Sequence, residues 1–183
     1  MEQLVNVNNI SLKTEQPDVI SQIYKEYYSK IYKYTLFRVN DHGTAEDLVS
    51  DVFEKVLLKH YTYNPEKAKL STWLFTIVNN TITNYFKKNI YQPEPLELEK
   101  VDSSYCLEDL VIKRELKGIL LKAIMCLHEH QRNIIALKFG ACLTNRQIAQ
   151  MMGLSESNVG TILYRALKRL KDILKEQGAV IND

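Results

Sequence analysis

The sequence predicts an all-α protein built as two small helical domains joined by an acidic linker, the C-terminal domain containing a helix-turn-helix. Three observations carry this prediction. The 183 residues include only 6 Gly and 4 Pro, which favours long helices with few turns. Apolar residues recur every three or four positions through most of the chain, the period of an amphipathic helix. Between Tyr91 and Leu110 that period gives way to Pro93, Pro95 and an acidic composition. The expected division is a flexible N-terminus at 1–15, a first domain at 16–90, a linker at 91–107, a second domain at 108–177 and a tail at 178–183.

Residues 1–15 are polar and lack a period, so they are expected to fray. From Pro17 to Val39, Ile20, Ile23, Tyr27, Ile31 and Tyr34 recur at helical spacing. Pro17 suits a first helical turn, where its missing N–H is not needed. Tyr24, Tyr27, Tyr28, Tyr32 and Tyr34 go nearly all the way round this helix and read as core and rim packing in preference to base stacking. Asn40 to Gly43 is a turn. Thr44 is expected to cap a second helix, with Asp47 as an acidic capping-box partner. On that helix Leu48, Val52, Val56 and Phe53 face the core, while Glu46, Asp47, Ser50, Asp51 and Glu54 make the other face acidic. Charge alone leaves two readings of that face, a solvated surface or a partner surface.

Tyr61 to Lys67 is a loop broken by Asn64-Pro65. Ser71 is expected to cap a third helix bearing Trp73, Leu74, Ile77, Val78 and Ile82. No acid occurs from Ser71 to Ile90, where Asn79, Asn80, Asn84, Lys87, Lys88 and Asn89 alternate with aromatic rings. Amides read base edges, lysines neutralise phosphates and rings stack on unpaired bases, so this helix suits a single strand. Composition bias toward Asn is the alternative source of the pattern. The linker segment from Tyr91 to Leu110 carries Glu94, Glu97, Glu99, Asp102, Glu108 and Asp109 against Lys100 alone. It reads either as a solvated tether or as a mimic of nucleic-acid charge.

Helical period returns from Leu107 to Leu127. Residues 143–171 then show the order cap, apolar stripe, glycine, cap. Thr144 with Gln147 forms a capping box. Ile148, Ala149 and Met152 line one face. Gly153 ends the helix, because glycine enters the left-handed region without a Cβ penalty. Ser155 caps the next helix, whose buried stripe is Val159, Leu163, Ala166 and Leu170. Its polar face is free to enter a major groove, as in a helix-turn-helix; a plain αα-hairpin in a bundle is the alternative.

Several function classes are excluded or disfavoured. The net charge is only +2, so any nucleic-acid surface is local. Cys106, Cys126 and Cys142 form no Cys-x-x-Cys pair, so reduced thiols are expected rather than a disulfide framework. His128 and His130 stand two apart, on different helix faces, with no further ligand at metal spacing. No Gly-rich phosphate loop, nucleophile elbow or zinc-hydrolase motif occurs, so neither catalytic residues nor a cofactor are expected. No apolar run approaches the ~20 residues of a membrane span, and the N-terminus lacks a signal-peptide pattern. A cytoplasmic location without membrane insertion is expected.

Two segments resemble one family. AEDLVSDVFEKVL, followed by LSTWLFTIVNNTITNYFKK, is similar to the promoter-melting domain of bacterial sigma factors. LHEHQRNIIALKFGACLTNRQIAQMMGLSESNVGTILYRALKRLKDIL resembles their C-terminal promoter-binding domain. With only these domains and a short linker, the chain resembles an extracytoplasmic-function sigma factor. The resemblance implies a factor that binds core RNA polymerase, directs it to promoter DNA and stabilises the melted non-template strand; a helix-turn-helix regulator acting without polymerase is the alternative. It implies polymerase docking through Asp47, Leu48, Asp51, Val52 and Phe53. At the minus-ten element it implies a specificity loop containing Tyr63 and Asn64, base readout by Asn80, a DNA-facing position at Asn79, where Asn79 and Asn84 replace a common Arg and Asp, and phosphate contacts by Lys87 and Lys88. It implies a buried, helix-anchoring Trp73. At the minus-thirty-five element it implies Glu156, Ser157, Asn158, Thr161 and Arg165, with Lys168 and Arg169 tracking backbone. An anti-sigma partner is also implied. The chain departs from the family at Gly160, Ile162 and Leu167, where Arg or Lys is common.

Overall fold

A computed structural model describes residues 17–89 and 108–176, so the expected linker and both termini lie outside the described residues. Among the described residues there is no strand. The helices are α1 (Pro17–Val39), α2 (His42–Lys59), α3 (Leu70–Asn89), α4 (Glu108–Met125), α5 (Glu129–Ile135), α6 (Asn145–Met152) and α7 (Glu156–Glu176). A short 3₁₀ turn, His60–Thr62, follows α2, and a π-helical segment, Ala136–Gly140, extends α5.

The first half is a three-helix unit. Ile23, Tyr27, Ile31 and Tyr34 of α1 are buried against Leu48, Val52 and Val56 of α2 and Leu74, Phe75, Val78 and Ile82 of α3. Rings of Tyr24, Tyr28 and Phe53 cluster at the rim, as the packing reading of the tyrosines expects. α1 ends where Asn40 turns left-handed, at φ 57°, a conformation Asn tolerates better than most residues. The α2 cap differs from expectation. Asp41 accepts the Thr44 N–H at 2.6 Å, so the helix starts at His42, before Thr44. An aspartate one turn earlier outcompetes the threonine because its carboxylate makes a charge-assisted bond to a free helix-end amide. Ser71 likewise does not cap α3. The helix begins at Leu70, with Trp73 N–H donating to the Lys69 carbonyl, and the Ser71 hydroxyl serves another purpose.

The second half follows its sequence signals more closely. Thr144 and Gln147 form the capping box, and Gly153 ends α6 at φ 65°. Ser155 accepts the Asn158 N–H at 3.1 Å. Val159, Leu163, Ala166 and Leu170 are buried as expected, and Ile173 continues the stripe. The π segment was not foreseen. Ala141 N–H reaches back to the Ala136 carbonyl, and Leu143 N–H to Leu137. This widened turn lets the backbone at Gly140 lie flat on α1.

The halves pack on each other, and one continuous apolar core crosses between them. A Cβ at Gly140 would stand 2.8 Å from the Tyr34 Cα and 2.9 Å from its backbone nitrogen. Only glycine permits helices so close at that point.

Candidate nucleic-acid and polymerase interfaces

α7 presents one polar face. Glu156, Ser157, Asn158, Thr161, Arg165, Lys168 and Arg169 are all exposed, because the buried stripe turns them outward together. The Thr161 hydroxyl donates to the Ser157 carbonyl at 3.1 Å, which orients it along the helix. Arg169 lies 3.9 Å from Glu176, both well exposed, a pairing too weak to withhold that charge from a phosphate. Tyr164, 70% exposed on the same helix, was not singled out in the sequence. Its spacing of three from Thr161 was the available signal.

The loop between α2 and α3 closes round a concavity of about 440 Å³ lined by Tyr61 to Lys67. The Asn64 side chain accepts the Glu66 N–H at 2.8 Å and so shapes the loop. The Tyr63 ring is buried against Trp73, with centroids 5.6 Å apart, and burial raises the pKa of its hydroxyl. Its hydroxyl has no hydrogen-bond partner in the protein. Tyr63 therefore walls the concavity, and Tyr61 is the displayed ring, 68% exposed. Trp73 is half-buried, packed against the core. Beyond the loop, Asn80, Asn84, Lys87 and Lys88 form an exposed acid-free strip along α3.

The expected polymerase-docking residues divide in two. Asp47 and Asp51 are exposed. Leu48, Val52 and Phe53 are in the core, so their role is to hold α2 in place. Leu57 and Leu58 follow the acidic face as exposed apolar residues at the helix end.

Asn79 departs from the rest of its strip. Its Oδ1 accepts from the Tyr34 hydroxyl at 2.9 Å, and the Asn133 Nδ2 lies 3.4 Å from it. The same hydroxyl is 2.8 Å from Asn133 Oδ1. One hydroxyl hydrogen serves two acceptors in turn. Tyr34 is fully buried, and that burial drives its pKa well above the ordinary tyrosine value. Arg38, itself buried, pairs with Glu129 at 3.2 Å. These residues, contributed by α1 and α5, were absent from the sequence-based site because their partners lie about a hundred positions away. Among the described residues no group of His, Cys, Asp and Glu is arranged to hold a metal, and no helix is long and apolar enough to cross a membrane.

A helix-turn-helix with a polar α7 face, together with an acid-free α3 strip beside an open loop, has the features of a DNA-binding protein. Residues 23–90 match the sigma-70 region 2 family and residues 117–170 the sigma-70 region 4 family. Among curated relatives, the ECF RNA polymerase sigma factor BldN of Streptomyces coelicolor is 29% identical over 88% of this chain and 62% of its own. RNA polymerase sigma factor YlaC of Bacillus subtilis is 28% identical over 84% of this chain and 91% of its own. Two solved structures share the fold. CnrH, bound to the cytosolic domain of CnrY, is 16% identical with a TM-score of 0.66, over 88% of this chain and 91% of that one. The sigma factor RpoE of Bartonella quintana, bound to the anti-sigma factor NepR, is 24% identical with a TM-score of 0.66, over 85% and 96%. The chain belongs to the RNA polymerase sigma factors of the extracytoplasmic-function type. Its function is to direct RNA polymerase to promoters, and it is not a stand-alone regulator.

Proposed function

We propose that the acidic face of α2, through Asp47 and Asp51, docks on core RNA polymerase, with Leu48, Val52 and Phe53 holding that face in place. α7 enters the major groove at the minus-thirty-five element, where Glu156, Ser157, Asn158, Thr161 and Arg165 meet bases and Lys168 and Arg169 meet phosphates. At the minus-ten element the loop walled by Tyr63 and Asn64 takes an unstacked base, with Asn80 beside it and Lys87 and Lys88 on the backbone; Asn79, bonded to Tyr34 and Asn133, supports the helix from behind. Melting needs no catalysis by this chain. A captured base offsets the few kcal/mol of unpairing. The chain works in the cytoplasm, needs no cofactor, and is held in check by an anti-sigma partner.

The observation that supports this reading best is the open loop of about 440 Å³ lying next to an acid-free α3 strip. A duplex reader has no use for such a cavity, whereas a base removed from its stack requires one. The test is run-off transcription on a promoter library with core polymerase, together with gel shifts on duplex DNA with and without core. Specific transcripts and a shift dependent on core are expected. A specific duplex shift at equal strength without core, and no transcripts, would refute the reading.

A further inference from the structure

We infer that the chain carries a binding site for a small phosphate-type anion, in a cavity apart from every surface assigned above to DNA or polymerase. The cavity measures about 260 Å³ and is walled by α1, the first turn of α3 and the turn that joins the π segment to α6. It shares no residue with the open loop at Tyr61 to Lys67. Its volume lies below the roughly 300–1,000 Å³ of drug-sized sites, so its occupant is a small group.

The lining favours negative charge. Lys30 and Lys69 stand there against a single acid, Glu26. Lys30 Nζ reaches that carboxylate only at 3.8 Å, too long for a hydrogen bond, and lies 4.8 Å from the Tyr27 ring centroid. Its N–H donors are therefore uncommitted. Among the described residues the Lys69 ammonium has neither an ion pair nor a hydrogen bond. Ser71 adds a further donor. Its oxygen accepts from Gln147 Nε2 at 2.9 Å, which leaves the hydroxyl hydrogen to be given elsewhere.

The backbone adds to this. α3 has no acid in its first turn, and its ladder begins with Trp73 donating to the Lys69 carbonyl. The amides of Leu70, Ser71 and Thr72 precede that bond and have no acceptor within the helix. The positive end of a 20-residue helix therefore meets the cavity at Lys69 and Ser71. Thr72 of the same turn is 6% exposed, and its hydroxyl has no hydrogen-bond partner in the protein; a buried donor in that condition calls for an acceptor. Ammonium groups, a hydroxyl and helix-end amides arriving from different elements suit a tetrahedral oxyanion, which accepts on every oxygen, better than a flat carboxylate. Walls drawn from three elements suit a compact group better than a continuous nucleic-acid strand, which tracks along an open groove.

Cys142 lines the cavity and Cys126 does not, and both thiols are exposed. Iodoacetamide alkylation followed by peptide mass mapping therefore reports occupancy with an internal reference. The full-length chain is assayed with inorganic phosphate, glycerol phosphate or chloride at matched ionic strength, beside thermal melting. At ten times Kd the unoccupied fraction falls about tenfold, so Cys142 should be alkylated up to about tenfold more slowly while Cys126 is unchanged. The melting temperature should rise by about 3–6 °C at the same concentration. Lys69→Gln and Lys30→Gln should each weaken both effects at least about tenfold in anion concentration, since each removes a charge-assisted contact. Lys69 is exposed, so Lys69→Gln keeps its helical circular dichroism and carries the test if Lys30→Gln does not fold. Protection by inorganic phosphate makes the free ion sufficient, and protection by glycerol phosphate alone points to a phosphorylated metabolite; either result supports the site. Equal slowing by chloride, equal slowing of Cys126, no slowing by either phosphate compound, or slowing that survives Lys69→Gln would overturn it. A rise in melting temperature without protection of Cys142 would place the anion elsewhere and overturn it too. Protection by single-stranded DNA and by neither phosphate compound would replace it with a strand contact.

Discussion

Replacing Asp47 and Asp51 together by Asn separates the surface of α2 from its core. Both carboxylates are exposed, while Leu48 and Val52, their neighbours in sequence, are buried. The double variant should therefore unfold within about 0.5 kcal/mol of the parent, as surface changes do. Each rim charge at a protein interface contributes about 0.5–1 kcal/mol. Losing two weakens binding to core polymerase by about 1–2 kcal/mol, or roughly 5- to 30-fold in Kd. The loss should shrink as salt rises, because the removed term is screened. Leu48→Ala should behave oppositely, costing about 2–5 kcal/mol of stability by leaving a cavity. The assay is titration of labelled protein with core polymerase at two salt concentrations, beside urea unfolding of the same samples. Unchanged affinity in the double variant at low salt, with normal stability, would refute the docking role of these carboxylates. Destabilisation of several kcal/mol would refute the division of the helix into a displayed and a buried face.

Three further outcomes are expected. Asp41→Ala should cost about 1 kcal/mol of stability in urea unfolding by removing the α2 cap. The Thr44 amide holds the Asp41 carboxyl below the ordinary aspartate range. Its contribution is therefore present above pH ~4 and disappears as pH falls through the lower folded value; Asp41→Asn should retain the cap without that pH dependence. Gly160→Ala should stabilise α7 by up to about 1 kcal/mol, because the added Cβ meets nothing nearer than the Asn145 side chain at 3.9 Å; a lower melting temperature would contradict this. Asn80→Ala should impair open-complex formation, read by permanganate footprinting, more than polymerase binding, and equal losses in both would count against base capture.

Elements that depend on near neighbours were legible in the order of residues. The capping box of Thr144 and Gln147, the left-handed Gly153, the cap at Ser155 and the buried stripe of α7 are local, each settled within one or two turns of chain. The exposed faces of α2, α3 and α7 followed from the same periodicity, which is why Asp47, Asn80 and Arg165 stand at the surface. Local competition already limited this. Asp41 displaced Thr44 as the cap of α2 because two acceptable caps lay within one turn. Tertiary structure alone decided which polar side chains were diverted from those faces. Ser71 is joined to Gln147, Asn79 to Tyr34 and Arg38 to Glu129 across separations that no helical period reports. It also decided that Tyr63 turns inward while Tyr61 is displayed. A hydrogen bond or a close backbone approach between distant segments depends on how whole helices pack, and α1 accepts Gly140 only because the π segment carries its bare backbone there.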